Sequence, residues 1–220
     1  MPTTKEPVMP SWTTEQYWNA IAAERARLAD DLAALTPEQW AAPSACDRWT
    51  VQDVVAHLTA AASTARWAWL RSIAAARFDA AVHNERRLAE HRGTAPGETL
   101  ERFRSVVPSR IAATGDLWAW LGEVVVHAQD VREPLGIATA PAAESVVAVA
   151  EGYVRKDFAV NSRRAARGLR LVATDSDFRA GDGPEVTGTT LDLVLAMAGR
   201  GAAAARLSGP GAQRLAHASR

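Results

Sequence analysis

Residues 118–136, WAWLGEVVVHAQDVREPLG, decide the fold and carry the most informative pair of polar residues. Glu123 and His127 stand four positions apart among apolar residues, and this spacing predicts that both side chains lie on one face of a helix. Burying a carboxylate among valines is costly unless a positive group neutralises it. A divalent cation would do so, and we therefore expect Glu123 and His127 to be metal ligands. A hydrogen bond between a buried Glu and a buried His is the simpler alternative.

The chain before this stretch is predicted to be helical, with short connections. Thr13, Thr36 and Thr50 each precede an apolar stripe in the position of a helix cap, and the third of these helices is predicted over residues 51–78. Pro108 is expected to interrupt a further helix, whose stripe consists of Leu100, Phe103, Val107 and Ile111. The ligand-bearing helix is expected to stop at Pro134 and Gly136. Such a succession is typical of an antiparallel helix bundle.

After Gly168 the apolar period changes from that of a helix to that of a strand. Strands are predicted at 169–174, 178–180 and 185–187, followed by a helix at 189–200, a possible strand, a Gly-Pro turn and a last short helix. We therefore predict an α+β chain with two domains. Residues 1–140 would form the helix bundle, and residues 141–220 a small C-terminal α/β domain that begins with a connecting helix at 141–166.

The composition argues against several classes of protein. A 220-residue chain that is 48% hydrophobic can bury a sizeable core. Its zero net charge gives no reason to expect nucleic acid or an anionic membrane as a partner. No apolar run reaches the roughly 18 residues of a membrane span, no signal pattern is present, and a single cysteine fits a reducing cytosol. We expect a cytoplasmic monomer or small homo-oligomer.

His57 is the other histidine that lies among apolar residues, whereas His83, His91 and His217 have polar neighbours. A single histidine on an apolar face is usually a core residue. Two His and one Glu on two helices, however, would hold a metal and leave a position for substrate, as catalytic sites do. Nitrogen and oxygen donors suit zinc, iron, nickel or manganese, with zinc as the default. Asp130 would orient a ligand or pair with Arg132 near the helix end.

Other chemistry has weaker support in the sequence. Cys46 precedes the His57 helix, a position that favours a thiolate nucleophile or an extra ligand. It is expected about three helical turns before His57, which favours a structural role. Ser63 and Ser72 have no His–Asp partners that would indicate a serine hydrolase. The chain also contains neither of the common glycine-rich nucleotide-binding motifs.

Three motifs resemble those of a known family and occur in its order. They are PSACDRWTVQDVVAHL at 43–58, GEVVVHAQDVREPLG at 122–136, and GLRLVATDSDFRAGDGPEVTG at 168–188 with LAMAGR and LSGPG after it. Over about residues 12–215 the chain is similar to the mycothiol-dependent maleylpyruvate isomerase family of the DinB-like metalloprotein superfamily. One departure is the loop before His57, which reads Cys-Asp-Arg-Trp where many relatives have a glycine before the tryptophan.

The resemblance implies a DinB-like bundle that holds zinc, or another divalent transition metal, through His57, Glu123 and His127. It implies mycothiol, a low-molecular-weight thiol, as co-substrate. An arginine of the C-terminal domain, for which Arg200 and Arg206 are the candidates, would bind this thiol. The expected function is cis–trans isomerisation of, or S-transfer to, an electrophilic small molecule.

Two functions of other classes stay open. The chain could be a non-catalytic metal-binding protein, such as a small-ligand sensor or a stress-response binding protein. It could also be a metal-dependent hydrolase in which Glu123 is a base rather than a ligand. The spacing of Glu123 and His127 on one face, with His57 elsewhere, argues against the hydrolase.

Overall fold

The structure, a computed structural model, describes residues 12–46, 49–64 and 88–218. This part of the chain is mostly helical and contains one three-stranded sheet, so the predicted α+β class is confirmed. Numbered along the described residues, its elements are α1 (Thr14–Ala33), α2 (Pro37–Ala41), α3 (Val51–Ser63), α4 (Pro96–Val106), α5 (Leu117–Leu135), α6 (Ala143–Arg155), α7 (Ser162–Ala166), β1 (Arg170–Ala173), β2 (Arg179–Ala180), β3 (Glu185–Gly188), α8 (Thr190–Met197), α9 (Gly201–Ala204) and α10 (Ala212–Ala218).

Three predicted helix starts are confirmed by reciprocal caps. In each, the threonine hydroxyl accepts from the backbone N–H three residues later, and the side chain at that later position accepts from the threonine's own N–H. These capping boxes satisfy N–H groups that the first helical turn leaves without an intrahelical partner. The pairs are Thr13 with Gln16, Thr36 with Gln39, and Thr50 with Asp53.

Helix α5 lies in the middle of the helical part and contacts α1, α3 and α6. Its residues Leu121, Val125 and Val131 are fully buried in the apolar core. A buried ion pair also joins it to α1, because the fully buried Arg132 donates through Nε to Oδ2 of Asp31 at 2.8 Å. None of the helices in the described ranges is long and apolar enough to span a membrane.

The predicted strands form a sheet in the order β2-β1-β3. Strand β1 pairs antiparallel with β2 and parallel with β3, which places Leu171 beside Ala180 and Val186. Helix α8 packs against α6 and against the sheet. One apolar core therefore extends from the helical part to the sheet. The division into two domains at residue 140 stays a prediction.

Two predicted helices are wrong in extent. The helix predicted over 51–78 ends at Ser63, because Thr64 has an extended backbone. The rest of that prediction lies outside the described residues, as do Trp69, Ser72 and His83. The helix predicted over 141–166 is two helices, α6 and α7, separated by residues 156–161.

Local side-chain bonds explain the break between α6 and α7. Ser162 donates its hydroxyl to the backbone carbonyl of Tyr153 at 3.0 Å, near the end of α6. Asp157 accepts from the backbone N–H of Arg164 at 3.1 Å, at the start of α7. Short polar side chains that bond the backbone in this way compete with a continuous helix. They release residues 156–161 from both helices.

Pro134 does not stop α5 as predicted, since the helix continues to Leu135. It ends at Gly136, whose left-handed φ of 65° confirms the predicted glycine cap. A proline inside a helix cannot donate to the carbonyl four residues earlier, which here belongs to Asp130. That carbonyl accepts instead from the N–H of Ala45 at 2.8 Å. Pro134 thus frees the acceptor that holds the loop before α3.

Close packing of α6 on α5 gives a test of the fold. Gly152 faces the indole of Trp118, and a Cβ at this position would overlap Cε3 and Cδ2 of the ring. We expect Gly152→Ala to lower the free energy of unfolding by about 1–3 kcal/mol, because overpacking outweighs the gain in helix propensity. Gly97→Ala is the matched control, because a Cβ there meets no atom within 4 Å. It should raise stability by about 0.4–1 kcal/mol. Urea denaturation would measure both, and equal stabilities would contradict the packing described.

Candidate active site

Three predicted ligand side chains converge from two helices. His57 lies on α3, and Glu123 and His127 lie one turn apart on α5. Nε2 of His57 is 3.3 Å from Oε2 of Glu123, and Nε2 of His127 is 3.4 Å from the same oxygen. One donor atom from each residue lies within 4.8 Å of the other two. His57 and Glu123 are 66 residues apart in sequence, and the packing of α3 on α5 brings their side chains together.

These distances fit a metal site better than a hydrogen-bonded cluster. A charge-assisted N–H···O bond measures about 2.7–2.9 Å, so the separations of 3.3 and 3.4 Å are long for one. Ligand atoms roughly 2.0–2.2 Å from a tetrahedral metal lie about 3.3–3.6 Å apart. The donor set, two imidazole nitrogens and a carboxylate oxygen, suits zinc and its transition-metal neighbours. The residues present therefore fit a divalent transition metal.

Asp130 supports this cluster from the next turn of α5. Its side chain is buried, and Oδ2 accepts from Nδ1 of His127 at 2.8 Å. This bond leaves Nε2 of His127 directed at Glu123, the arrangement in which a histidine ligand is oriented by a carboxylate. The other side of Asp130 pairs with Arg200, whose Nε lies 2.9 Å from Oδ1. Asp130 therefore does not pair with Arg132, which the sequence left as an alternative.

The electrostatics of the cluster favour ionised carboxylates. Burial acts to raise the pKa of Glu123, but favourable interactions with the neighbouring His127 and His57 outweigh it and hold that pKa well below its usual range. Burial likewise acts to raise the pKa of Asp130, but hydrogen bonds from Arg200 and His127 outweigh it, so that this pKa is lowered. The pKa of His127 is raised, because bonds to Asp130, Cys46 and Glu123 outweigh its burial. Positive charge is thus favoured beside Glu123.

The cluster forms one wall of a cavity of about 220 Å³. Polar side chains of α3, α5 and α6 and of the loops before α3 and after α8 line the cavity, and Val160 and Ala159, from the segment between α6 and α7, form part of its apolar side. The remaining lining residues are Cys46, Trp49, His57, Gly122, Glu123, Val126, His127, Tyr153, Ala198 and Arg200. A small molecule with an apolar body and a polar end matches such a lining.

The sequence wrongly predicted that Cys46 is remote from the ligands. Its sulfur lies within 4.8 Å of donor atoms of His127 and Asp130 and 4.0 Å from Nη2 of Arg200. The loop reaches this place because Ala45 bonds the carbonyl of Asp130. The sequence feature that could have indicated this contact is Pro134, because a proline four residues after Asp130 leaves the carbonyl of Asp130 without its helical donor. The sequence also gave no signal for Tyr153, because its surroundings depend on the break after α6.

The two arginines proposed for thiol binding differ in position. Arg200 lines the cavity and bonds Asp130. Arg206 is instead engaged with Asp192 and Glu133, with nitrogen–oxygen distances of 2.7 Å to each. Burial acts to lower the pKa of Arg200, but the bonds to Asp130 outweigh it, so that this pKa is raised. Arg200 is therefore the candidate that the geometry favours.

Comparison with known proteins agrees with the fold described above. Two solved structures, of a mycothiol-dependent maleylpyruvate isomerase and of its histidine-to-alanine mutant, are each similar in fold, with a TM-score of 0.62 at 16% identity. In each case the similarity covers 93% of this chain and 97% of the other. No curated protein matches the sequence significantly.

The chain thus belongs to a class of mostly helical proteins with a small sheet near the C-terminus. Residues 21–132, just over half of the chain, match the sequence model of the mycothiol maleylpyruvate isomerase N-terminal domain. The chain is a member of this family, as its motifs predicted. The match spans His57, Glu123 and His127.

Asp130 offers a test of the site that does not depend on turnover. Asp130→Asn should weaken zinc binding about 10–100-fold, because the amide orients His127 less well and raises its ligand basicity less. Asp116→Asn is the control, since Asp116 pairs with Lys156 away from the cavity. Competition against a zinc-binding dye would measure both affinities. Equal affinities in the two variants would show that Asp130 does not support a metal ligand.

Proposed function

We propose that the protein is an enzyme that uses mycothiol at a divalent metal centre to isomerise, or transfer the thiol to, an electrophilic small molecule. The observation that carries the proposal is the convergence of His57, Glu123 and His127 on one cavity wall. Family membership supports both the thiol and the isomerase chemistry. Zinc is the default metal, because the donor set suits it and leaves a coordination position for a further ligand.

Each residue has a distinct task in this proposal. A divalent metal at the site would bind the sulfur of the thiol and favour its thiolate form, which is the nucleophile. His57, Glu123 and His127 hold that ion, and Asp130 fixes the ring of His127. Trp49 and Val160 contribute apolar surface to the cavity, and charges beside apolar surface interact more strongly than charges in bulk water.

The chemistry balances as an addition followed by an elimination. The thiolate sulfur adds to one carbon of an activated cis double bond, and the displaced π electrons move to the conjugated carbonyl oxygen. The former double bond is then single and rotates. When the electrons return from oxygen, the double bond re-forms in the trans geometry, the C–S bond breaks and the thiolate leaves. In S-transfer the adduct carbon is protonated instead, and the C–S bond remains.

Arg200 is proposed to bind the thiol co-substrate. Its guanidinium is held by Asp130 and by the carbonyl of Ala198 at 2.8 Å, so its position is fixed. An arginine carries five N–H donors. Nη2 also donates to Oδ2 of Asp130 at 2.5 Å and lies 4.0 Å from the sulfur of Cys46, and the donors not engaged in this way are available to a ligand in the cavity that Arg200 lines. They would donate to carbonyl or hydroxyl oxygens of mycothiol. The slight basic excess of residues 141–220 agrees with a ligand that accepts hydrogen bonds.

The hydrolase alternative fits the geometry less well. A general base needs an oxygen directed at a water molecule, whereas Oε2 of Glu123 lies between the two histidines. This position supports a role for Glu123 as a ligand rather than as a base. The sensor alternative requires the same metal site but no turnover, and it is decided by experiment.

Metal content tests the ligand set. The protein purified after growth with zinc should contain about one metal ion per chain, because the three donors form one site. His57→Ala should lose most of it. His217→Ala is the matched control, since His217 is exposed and bonds the carbonyl of Gln213. Elemental analysis would measure all three proteins. A metal-free wild type after reconstitution would overturn the proposal.

Turnover separates enzyme from sensor. The zinc-loaded protein should isomerise maleylpyruvate, the substrate named for its structural relative, or join mycothiol to a halogenated bimane or dinitrophenyl reagent, from which the sulfur displaces a halide ion. Either reaction should require mycothiol. Binding of mycothiol without any turnover would favour the sensor.

The two arginines give a further test. Arg200→Ala should raise the KM for mycothiol at least tenfold, because hydrogen bonds to a charged group contribute about 1.5–3 kcal/mol each. Arg206→Ala should leave that KM nearly unchanged, since Arg206 pairs with Asp192 and Glu133. Initial rates at varied mycothiol concentration would measure both. A larger effect at Arg206 would contradict the assignment.

A further inference from the structure

Tyr153 brings a second type of chemistry to the cavity. It lies on α6, is only 5% exposed, and contributes to the lining beside Glu123 and Val160. Its ring packs edge-on against Trp118, with 6.1 Å between the ring centroids. The backbone carbonyl of Tyr153 is also held, because it accepts the hydroxyl of Ser162. Tyr153 is therefore held at its ring by Trp118 and at its backbone by Ser162.

The fold leaves room for the hydroxyl beside the ligand-bearing helix. Gly122 faces Tyr153, and a Cβ at Gly122 would lie 3.1 Å from Oη and 3.2 Å from Cε1 of the tyrosine. Gly122 immediately precedes Glu123 on α5. The hydroxyl thus lies against the turn of α5 that carries a proposed metal ligand, and a larger residue at 122 would displace it.

The hydroxyl of Tyr153 makes no hydrogen bond to another residue of the described part of the chain, and it is not among the fully buried atoms without a partner, so it is open to the cavity that Tyr153 lines. A buried tyrosine normally has one, because desolvating a phenol without a partner is costly. Arg200, by contrast, already donates to Asp130 and Ala198. Tyr153 is thus a fixed donor that a molecule in the cavity would satisfy.

We propose that Tyr153 donates its O–H to the carbonyl oxygen of the electrophile and stabilises the negative charge that this oxygen gains when the thiol adds. This inference rests on the proposed function. A phenol is neutral and can donate at physiological pH, since its ordinary pKa is about 10. A donor aimed at the place where charge develops acts mainly on the transition state. Tyr153 would therefore accelerate both isomerisation and S-transfer, because addition is common to them.

Tyr153→Phe removes only the hydroxyl and tests the inference directly. We expect kcat to fall about 10²–10³-fold, the usual effect of losing one such donor. Zinc content and the KM for mycothiol should be unchanged, because neither depends on the phenol. Tyr17→Phe is the matched control: Tyr17 lies on α1, packs against Trp12, and should give wild-type rates. A kcat for Tyr153→Phe within about twofold of the wild type would overturn the inference.

A binding measurement separates this inference from the proposed function. S-(2-carboxyethyl)mycothiol has the connectivity of the adduct, with a sulfur, two carbons and a carboxylate in place of the charged carbonyl oxygen. Titration calorimetry should show that Tyr153→Phe binds it at least tenfold more weakly than the wild type, whereas S-propylmycothiol binds both equally. Equal binding of the carboxyethyl compound would overturn the role of Tyr153 even if the wild type is active. A wild type that turns over no electrophile but shows the tenfold difference would overturn the enzyme proposal and retain the donor.

Discussion

The buried carboxylate of Asp130 is the interaction on which the site depends. Oδ2 bonds His127, and both oxygens accept from Arg200, so helix α5 is tied to the chain that follows the sheet. The backbone carbonyl of the same residue holds the loop of Cys46 through Ala45. Removing one partner from such a buried network costs more than the network contributes, because the remaining charge stays buried without compensation. Asp130 therefore fixes the positions of α5, the loop of Cys46 and the segment of Arg200 relative to one another.

The sequence predicted what depends on local chemistry. The capping boxes at Thr13, Thr36 and Thr50 and the strands after Gly168 follow from short-range patterns. The pairing of Glu123 with His127 follows from helical spacing, and their meeting with His57 was implied by the family resemblance. What could not be predicted depends on bonds between distant residues. Cys46 reaches the cavity because Pro134 frees a carbonyl for Ala45, and α6 ends because Asp157 and Ser162 bond the backbone.

Different sides of the cavity carry the proposed metal ligands and the proposed hydrogen-bond donor. One side carries the proposed metal ligands, with the negative charge of Glu123 set between two imidazoles. Tyr153, on the neighbouring helix, offers a neutral donor. An addition to a conjugated carbonyl needs both, because it requires a nucleophilic sulfur and a place for the electrons that the sulfur displaces. Whether the adduct then expels or keeps the thiol depends on the substrate and on proton delivery rather than on the ligand set.

The segment between α6 and α7 has a consequence for how such a protein changes over generations. Ala159 and Val160 line the cavity, yet residues 156–161 belong to neither flanking helix. Substitutions of Ala159 and Val160 would reshape the cavity wall, whereas Phe158 of the same segment packs against Trp118 and Trp120 of α5. Under the proposed function, substrate range would depend partly on the segment between α6 and α7, and reactivity on the proposed ligands of α3 and α5. Under that function, a lineage could exchange one electrophile for another by altering Ala159 and Val160 while the proposed metal ligands are retained.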